Sequence, residues 1–283
     1  MKKIVPFILV IFSCQRSNTQ TEAPTSAGFE KEPQSFAIAP GGIKETSGIA
    51  DSKINPGYLW VQQDSGNPPM LYLLKHDGAV SDSVYLKGAV NRDWEDIVLS
   101  DGQLYVGDIG DNNAAYDEYT IYRFAEPAAG TDTITAFDKI SFTYPDSAHD
   151  AEAFLVDPST NDIYIITKRD AKSKLYRLAY PQNTAAINEA AFVADLTFTG
   201  AVSAAISPDK KEIIIKTYTQ LYYYTKSPEQ KIADALLTAP STLDYQVEAQ
   251  GEAISFSLDN GGFFTLSEEA LGIVPRLNYY RRK

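Results

Sequence analysis

Five related stretches recur along the chain, and their spacing limits what it can fold into more than any other feature. They are "SGIADSKINPGYLWVQQDSG" from Ser47, "EDIVLSDGQLYVGDIGDN" from Glu95, "EAFLVDPSTNDIYIITKRD" from Glu152, "SAAISPDKKEIIIKTYTQ" from Ser203 and "EAISFSLDNGGFFTLSEE" from Glu252. Each is a polar starter, a short apolar strand, a turn rich in Asp, Asn, Gly or Pro, and a second apolar strand. The starters lie 48, 57, 51 and 49 residues apart, a period that suits one four-stranded propeller blade per unit.

The outer halves of the units supply the other strands. "LYLLKHDG" with "SDSVYLKG", "YTIYRFAEP" with "KISFTYPD", and "SKLYRLAYP" with "AAFVADLTF" each read as a further pair, and no long amphipathic helix competes with them. After Glu252 only 31 residues remain, enough for three strands. The missing one is expected from "SFAIA", residues 35–39, so that the two chain ends share a blade and leave no open sheet edge. The expectation is an all-β chain, a five-bladed β-propeller closed by an N-terminal strand, with a six-bladed ring as the alternative.

In such a ring the first strand of each blade lines the central channel, and equivalent positions form rings of side chains. The starter ring reads Ser47, Glu95, Glu152, Ser203 and Glu252; two residues earlier stand Glu45, Asp93, Asp150, Ala201 and Gln250. Strand alternation turns Asp93 and Glu95 inward and sends Trp94 and Asp96 toward the blade interfaces or the neighbouring turn. Carboxylates so close together must be protonated or neutralised by cations. Glu95, Glu152 and Glu252, with Asp93 and Asp150 beside them, are therefore the expected ligands of a divalent cation, calcium first among the candidates. The competing reading is that each acid accepts backbone N–H bonds between blades.

Asp108 and Asp111, with Asn112, lie on the glycine-rich loop "GDIGDNN", and "QDSGNPP", with Asp64 and Asn67, is the related loop of the first repeat. Their oxygens could hold a hard cation, or serve a turn that needs left-handed backbone. "TKRD" and "IKTYT" bring Lys168 and Lys216 to what read as equivalent strand ends, and "SEE" adds Glu268. Asp108, Asp111, Lys168, Lys216 and Glu268 are the candidate ligand-binding residues. They suit an anionic group bridged through a metal, or form only a salt-bridged rim. Of the two histidines, His76 falls in an outer turn, while His149 precedes Asp150 and could reach the channel mouth as a ligand or base. No G-x-S-x-G elbow, P-loop or H-E-x-x-H motif occurs. An enzyme would have to draw its catalytic groups from Glu95, Glu152, Glu252 and His149.

The beginning of the chain has the layout of a secretory signal: Lys2 and Lys3, then an apolar run too short to span a bilayer, over residues 1–13. "IFSC" resembles the lipobox of bacterial lipoproteins, with Cys14, the one cysteine of the chain, as the lipidated residue. Residues 14–33 read as lipidated cysteine and flexible tether, and residues 34–283 as a single domain. The formal charge of −12 becomes about −14 without Lys2 and Lys3. That makes nucleic acid and anionic lipid headgroups poor partners, leaving the N-terminal lipid as the membrane contact. The expected setting is the bacterial cell envelope, periplasmic or surface-exposed, and the expected form a monomer with a small molecule or envelope protein as partner.

"SGIA", "DWEDIVLSDGQLYVGDIGDN", "YRFAEP", "DAEAFLVDP", "ISPDKKEIIIKTY" and "GEAISFS" together resemble a family of secreted or lipid-anchored bacterial propeller proteins that are largely uncharacterised. The resemblance spans nearly the whole domain, "DWED" and "GDIGDN" being its most specific motifs, and implies a propeller with an acidic channel. Similarity to β-propeller phytases and calcium-dependent lactonases is looser and architectural. Two functions compete: a non-catalytic envelope protein whose channel mouth binds a cation and a small ligand or partner, and a metal-dependent hydrolase of phosphoesters, lactones or glycans.

Overall fold

Each repeat opens with two strands that are buried on both faces along nearly their whole length. In the third, all six residues of Ala151–Val156 and all five of Ile163–Thr167 are buried, as befits strands covered on both sides. The computed structural model describes residues 28–39, 43–270 and 272–283. The signal segment 1–13, Cys14 and the tether as far as residue 27 lie outside the described residues.

Five sheets follow in chain order, each with four antiparallel strands; the first and second are extended at their outer edges by the two-residue parallel strands Thr133–Ile134 and Asn188–Glu189. From the inside outward, blade one is Thr46–Asp51, Tyr58–Gln63, Met70–Lys75 and Val80–Leu86. Blade two is Trp94–Ser100, Gln103–Asp108, Tyr119–Ala125 and Asp138–Thr143. Blade three is Ala151–Val156, Ile163–Thr167, Lys174–Leu178 and Ala191–Asp195; blade four is Ala201–Ile206, Glu212–Thr217, Leu221–Thr225 and Ser241–Leu243. A single short helix among the described residues, Ile232–Leu236, precedes the last of these. Blade five is Gly251–Phe256, Gly262–Ser267 and Arg276–Arg281, completed by Gln34–Ala37. That closing strand pairs antiparallel with the chain's last one, Gln34 opposite Tyr279 and Ala37 opposite Arg276. The fold is a five-bladed β-propeller closed by an N-terminal strand. No described helix is long and apolar enough to cross a membrane.

Five hydrophobic clusters fill the five gaps between neighbouring blades. Trp60 and Leu71 meet Trp94 and Val106 between blades one and two, and Ile49 and Val61 meet Phe264 and Leu277 across the closing seam. The packed chain begins ahead of Gln34, where the sequence places the domain start. Phe29, 5% exposed, lies against Phe263 with ring centroids 5.0 Å apart and pairs with Arg282. The signal was a lone aromatic in a polar stretch, and a side chain of that size contributes about 1.5–3 kcal/mol when buried.

One irregularity repeats in every blade. The innermost strand skips a residue against its neighbour, so that Thr46 faces Gln63 but Gly48 faces Gln62. The skipped residues are Ser47, Glu95, Glu152, Val202 and Glu252. A bulge of this kind bends the strand and re-aims its side chains, and it overturns two expectations. In blade four the residue equivalent to the glutamates is Val202, one position before Ser203, and the ring two residues earlier runs through Gly200, not Ala201. Asp96 does not turn to a blade interface: the bulge carries it to the channel axis.

Candidate functional site

The acids of "NRDWEDIV" occupy two depths of the channel. At the deeper one, Asp96 is fully buried. One of its oxygens accepts from Ile97 N at 2.9 Å and Ser203 Oγ at 3.1 Å; the other accepts from Ala204 N at 3.3 Å and Phe154 N at 3.5 Å. Ser203 Oγ in turn accepts from Ile254 N at 3.3 Å. Asp96 thereby joins the innermost strands of blades two, three and four, and Ser203 adds blade five. Burial pushes the Asp96 carboxyl well above the ordinary range, against the pull of these donors. For this acid the reading as an acceptor of inter-blade N–H groups holds.

Nearer the mouth stand the bulged residues Glu95, Glu152 and Glu252, each no more than 6% exposed. Oxygens of Asp64, Asp93 and Glu95 lie within 4.8 Å of one another, and so do oxygens of Glu95, Asp150 and Glu152. Glu95 belongs to both groups. Burial first, then Glu152, Asp64, Asp93 and Glu252, raise its carboxyl well above the ordinary value. Burial and Asp64 push Asp93 up to about 7. Glu152 Oε1 is ion-paired with Lys168, while Glu152 Oε2 and Ser47 Oγ are buried without a hydrogen-bond partner among the described residues.

The other side of the mouth is a hydrogen-bonded group. Lys168 Nζ reaches Tyr218 Oη at 3.0 Å and Glu252 Oε1 at 3.8 Å, and the Tyr218 hydroxyl donates to Glu252. Glu252 therefore leans toward Lys168 and lies in neither converging group. Glu268 stands beside it; burial, then Glu252 and Asp64, push its carboxyl up to about 9.

The loop after Asp108 serves the site with backbone more than with side chains. Asp108 Oδ1 caps Asp93 N at 2.7 Å and Arg92 N at 3.2 Å. The Asp111 carboxylate accepts from Ala115 N, Tyr116 N and Tyr119 Oη, each within 2.9 Å. Burial raises its pKa, but these donors outweigh that and hold it low. Asp111 N donates to Asp150 Oδ1 at 2.8 Å, and Arg169 Nε donates to Asp150 Oδ2 at 2.6 Å. Gly110 lies so close that an added Cβ would overlap the Glu95 and Asp93 carboxylates. The "GDIGDN" motif thus shapes a lid over the acids.

Two expected residues lie elsewhere. Lys216 is fully buried between blades four and five, paired with Glu248 at 3.0 Å. Register explains it: Thr167 pairs with Ala151 as Thr217 pairs with Ala201, so Tyr218 is the equivalent of Lys168. His149 is turned away from the mouth, its Nδ1 3.1 Å from Asp170 and its Nε2 2.9 Å from Tyr176 Oη and 3.1 Å from Asp146. Asp64 is the converging acid that the sequence reading left out of the cation set. It occupies the strand-end position of Lys168 and Glu268, which the repeat alignment could have shown.

No protein-family model matches the chain, and no curated protein matches it at a significant level. Among solved structures, an auxiliary nutrient binding protein from Bacteroides thetaiotaomicron VPI-5482 is similar, with TM-score 0.51 and 8% identity over 90% of this chain and 73% of that one. A nidogen/laminin complex is more distant, with TM-score 0.46 and 9% identity over 79% and 72% of the two chains. The first similarity is one of fold.

Proposed function

We propose that the channel mouth binds a divalent cation, calcium by preference, and through it a small ligand or partner, without catalysis. The observation that carries this reading is Glu95, buried and shared by two converging carboxylate groups. Oxygens bound to one Ca²⁺ at about 2.3–2.6 Å stand at most about 5 Å apart, which the spacing of these groups meets. The buried Glu152 Oε2 and Ser47 Oγ, without a hydrogen-bond partner among the described residues, add oxygen at the same level. A cation would offset the burial and the mutual repulsion that raise the Glu95 and Asp93 carboxyls.

The nutrient-binding description of a similarly folded protein supports a binding role, and no more than that. The signal-like start and Cys14 support attachment to the cell envelope as a lipoprotein, and "DWED" with "GDIGDN" supports membership of the lipid-anchored propeller family. Isothermal titration of chelated protein with Ca²⁺ and Mg²⁺ tests the cation. Wild type should bind and a Glu95→Gln, Glu152→Gln double variant should not; equal heats from both would defeat the reading.

Glu268 favours a second reading, a metal-dependent hydrolase of phosphoesters, lactones or glycans. Burial, then Glu252 and Asp64, push its carboxyl up to about 9, and it sits beside Glu252 as a general acid would. Turnover of nitrophenyl phosphate, a γ-lactone or a nitrophenyl glycoside that is lost in Glu268→Gln would support it. Absence of turnover of all three by the Ca²⁺-loaded wild type would remove it.

A further inference from the structure

The propeller face opposite the acids holds two adjoining cavities. The innermost strand of blade one runs from Thr46 at the acidic mouth to Asp51, roughly 16 Å away at about 3.3 Å per residue. Around Asp51, Lys53 and Leu258 a cavity of about 550 Å³ at the far channel mouth meets one of about 840 Å³ at the seam between blade one and the closing blade. Both volumes fall in the small-molecule range. The channel-end cavity has mostly aliphatic walls, whereas the seam groove has an aromatic floor.

The half-buried rings of His76 and Tyr279 flank Phe264, which is itself buried, with centroids 4.5 and 4.7 Å from it and tilts of 41° and 36°; the half-buried Phe36 of the closing strand lines the same groove. The platform is braced, since Asp51 Oδ1 holds His76 Nε2 at 2.8 Å while Asp51 Oδ2 takes Leu258 N at 2.8 Å. Around it stand polar groups of both signs. Asp77 and Asp259 each use one oxygen in their own turns, and the Lys53 ammonium has no ion pair among the described residues. Two acids at the rim oppose an anion, and the lysine among them opposes a cation. An apolar ring face below and both donors and acceptors at the edge suit a neutral ligand with one C–H face and many hydroxyls.

We propose that this seam groove is a saccharide-binding site, in which a neutral sugar ring lies on the aromatic floor and its hydroxyls meet Asp77, Asp259 and Lys53. The site is separate from the acidic mouth and does not require a cation there. It depends on closure of the ring, because Gln34 and Phe36 come from the N-terminal strand.

Saturation-transfer NMR on the full domain tests it. The probes are the methyl glycosides of glucose, galactose, mannose, xylose and N-acetylglucosamine, with maltotriose, and with tetramethylammonium and benzoate as charged competitors. At least one saccharide should receive saturation at its ring C–H protons, equally with and without chelator. Tyr279→Ala should weaken it at least about tenfold. Leu258→Trp, which replaces a side chain 40% exposed, should block the groove while leaving the melting temperature unchanged. No transfer to any saccharide, preference for a charged probe, or wild-type binding by the Leu258→Trp protein would overturn the proposal.

Discussion

Gly110 lies directly over Glu95, with no room for a methyl group between the loop backbone and the glutamate oxygen. Asp93 Oδ2 would stand 2.5 Å from the same added Cβ. The "GDIGDN" glycine therefore sets the height of the lid above two proposed cation ligands. Gly110→Ala should leave the fold intact, because the displaced atoms are side-chain ends, yet weaken Ca²⁺ binding at least about tenfold. Titration calorimetry beside a melting curve checks both halves of that statement.

Asp96 is expected to be structural, unlike Glu95 beside it. Asp96→Ala would strand donors on Phe154, Ser203 and Ala204 at the channel axis, and should cost about 2–4 kcal/mol in denaturant unfolding. Asp96→Asn keeps an acceptor and the shape, so its cost should be clearly smaller. Equal stability of Asp96→Ala and wild type would show that the axis is not held this way.

The pH dependence follows from Asp93, pushed from 3.8 to about 7, and Glu268, pushed from 4.5 to about 9. A carboxyl whose folded value is raised binds its proton more tightly in the folded state. It stabilises the fold at low pH, and that contribution is lost as pH rises through the window. Chelated protein should therefore lose melting temperature between about pH 4 and pH 9. The increment from added Ca²⁺ should grow over the same range, because the ion competes with these protons. Differential scanning calorimetry in matched buffers reads both trends.

Ring closure should depend on residues earlier than the repeats imply. Phe29→Ala removes a ring packed on Phe263 and Phe256 and should cost about 3–5 kcal/mol. Deleting residues 34–39 should lower the melting temperature further. Full stability of either protein would mean that the closing blade contributes little.

The architecture was legible because blade strands are buried on both faces and their turns recur at a fixed period, so the repeats alone gave five units and the shared last blade. The carboxylate ring was legible where the repeats align without a gap, at Glu95, Glu152 and Glu252. It was misread where a bulge intervenes, since simple alternation cannot seat Glu95 and Asp96 on the same side. Lys216 misled for a related reason: its Thr-Lys neighbourhood imitates that of Lys168, but the pairing register sets it two positions deeper. The seam groove was not legible at all, because His76, Phe264, Tyr279 and Phe36 come together only when the two chain ends meet.

The central claim is that Glu95 and its neighbours hold a divalent cation, and diffraction from crystals of the domain grown with Ca²⁺ and with Mn²⁺ tests it most directly. The account predicts an anomalous peak at the acidic mouth, about 2.3–2.6 Å from oxygens of Glu95 and of Asp93 with Asp64, or of Asp150 with Glu152. That peak should be missing in the Glu95→Gln, Glu152→Gln protein. A clean map with no peak among these carboxylates, or a peak that persists unchanged in the double variant, would contradict it.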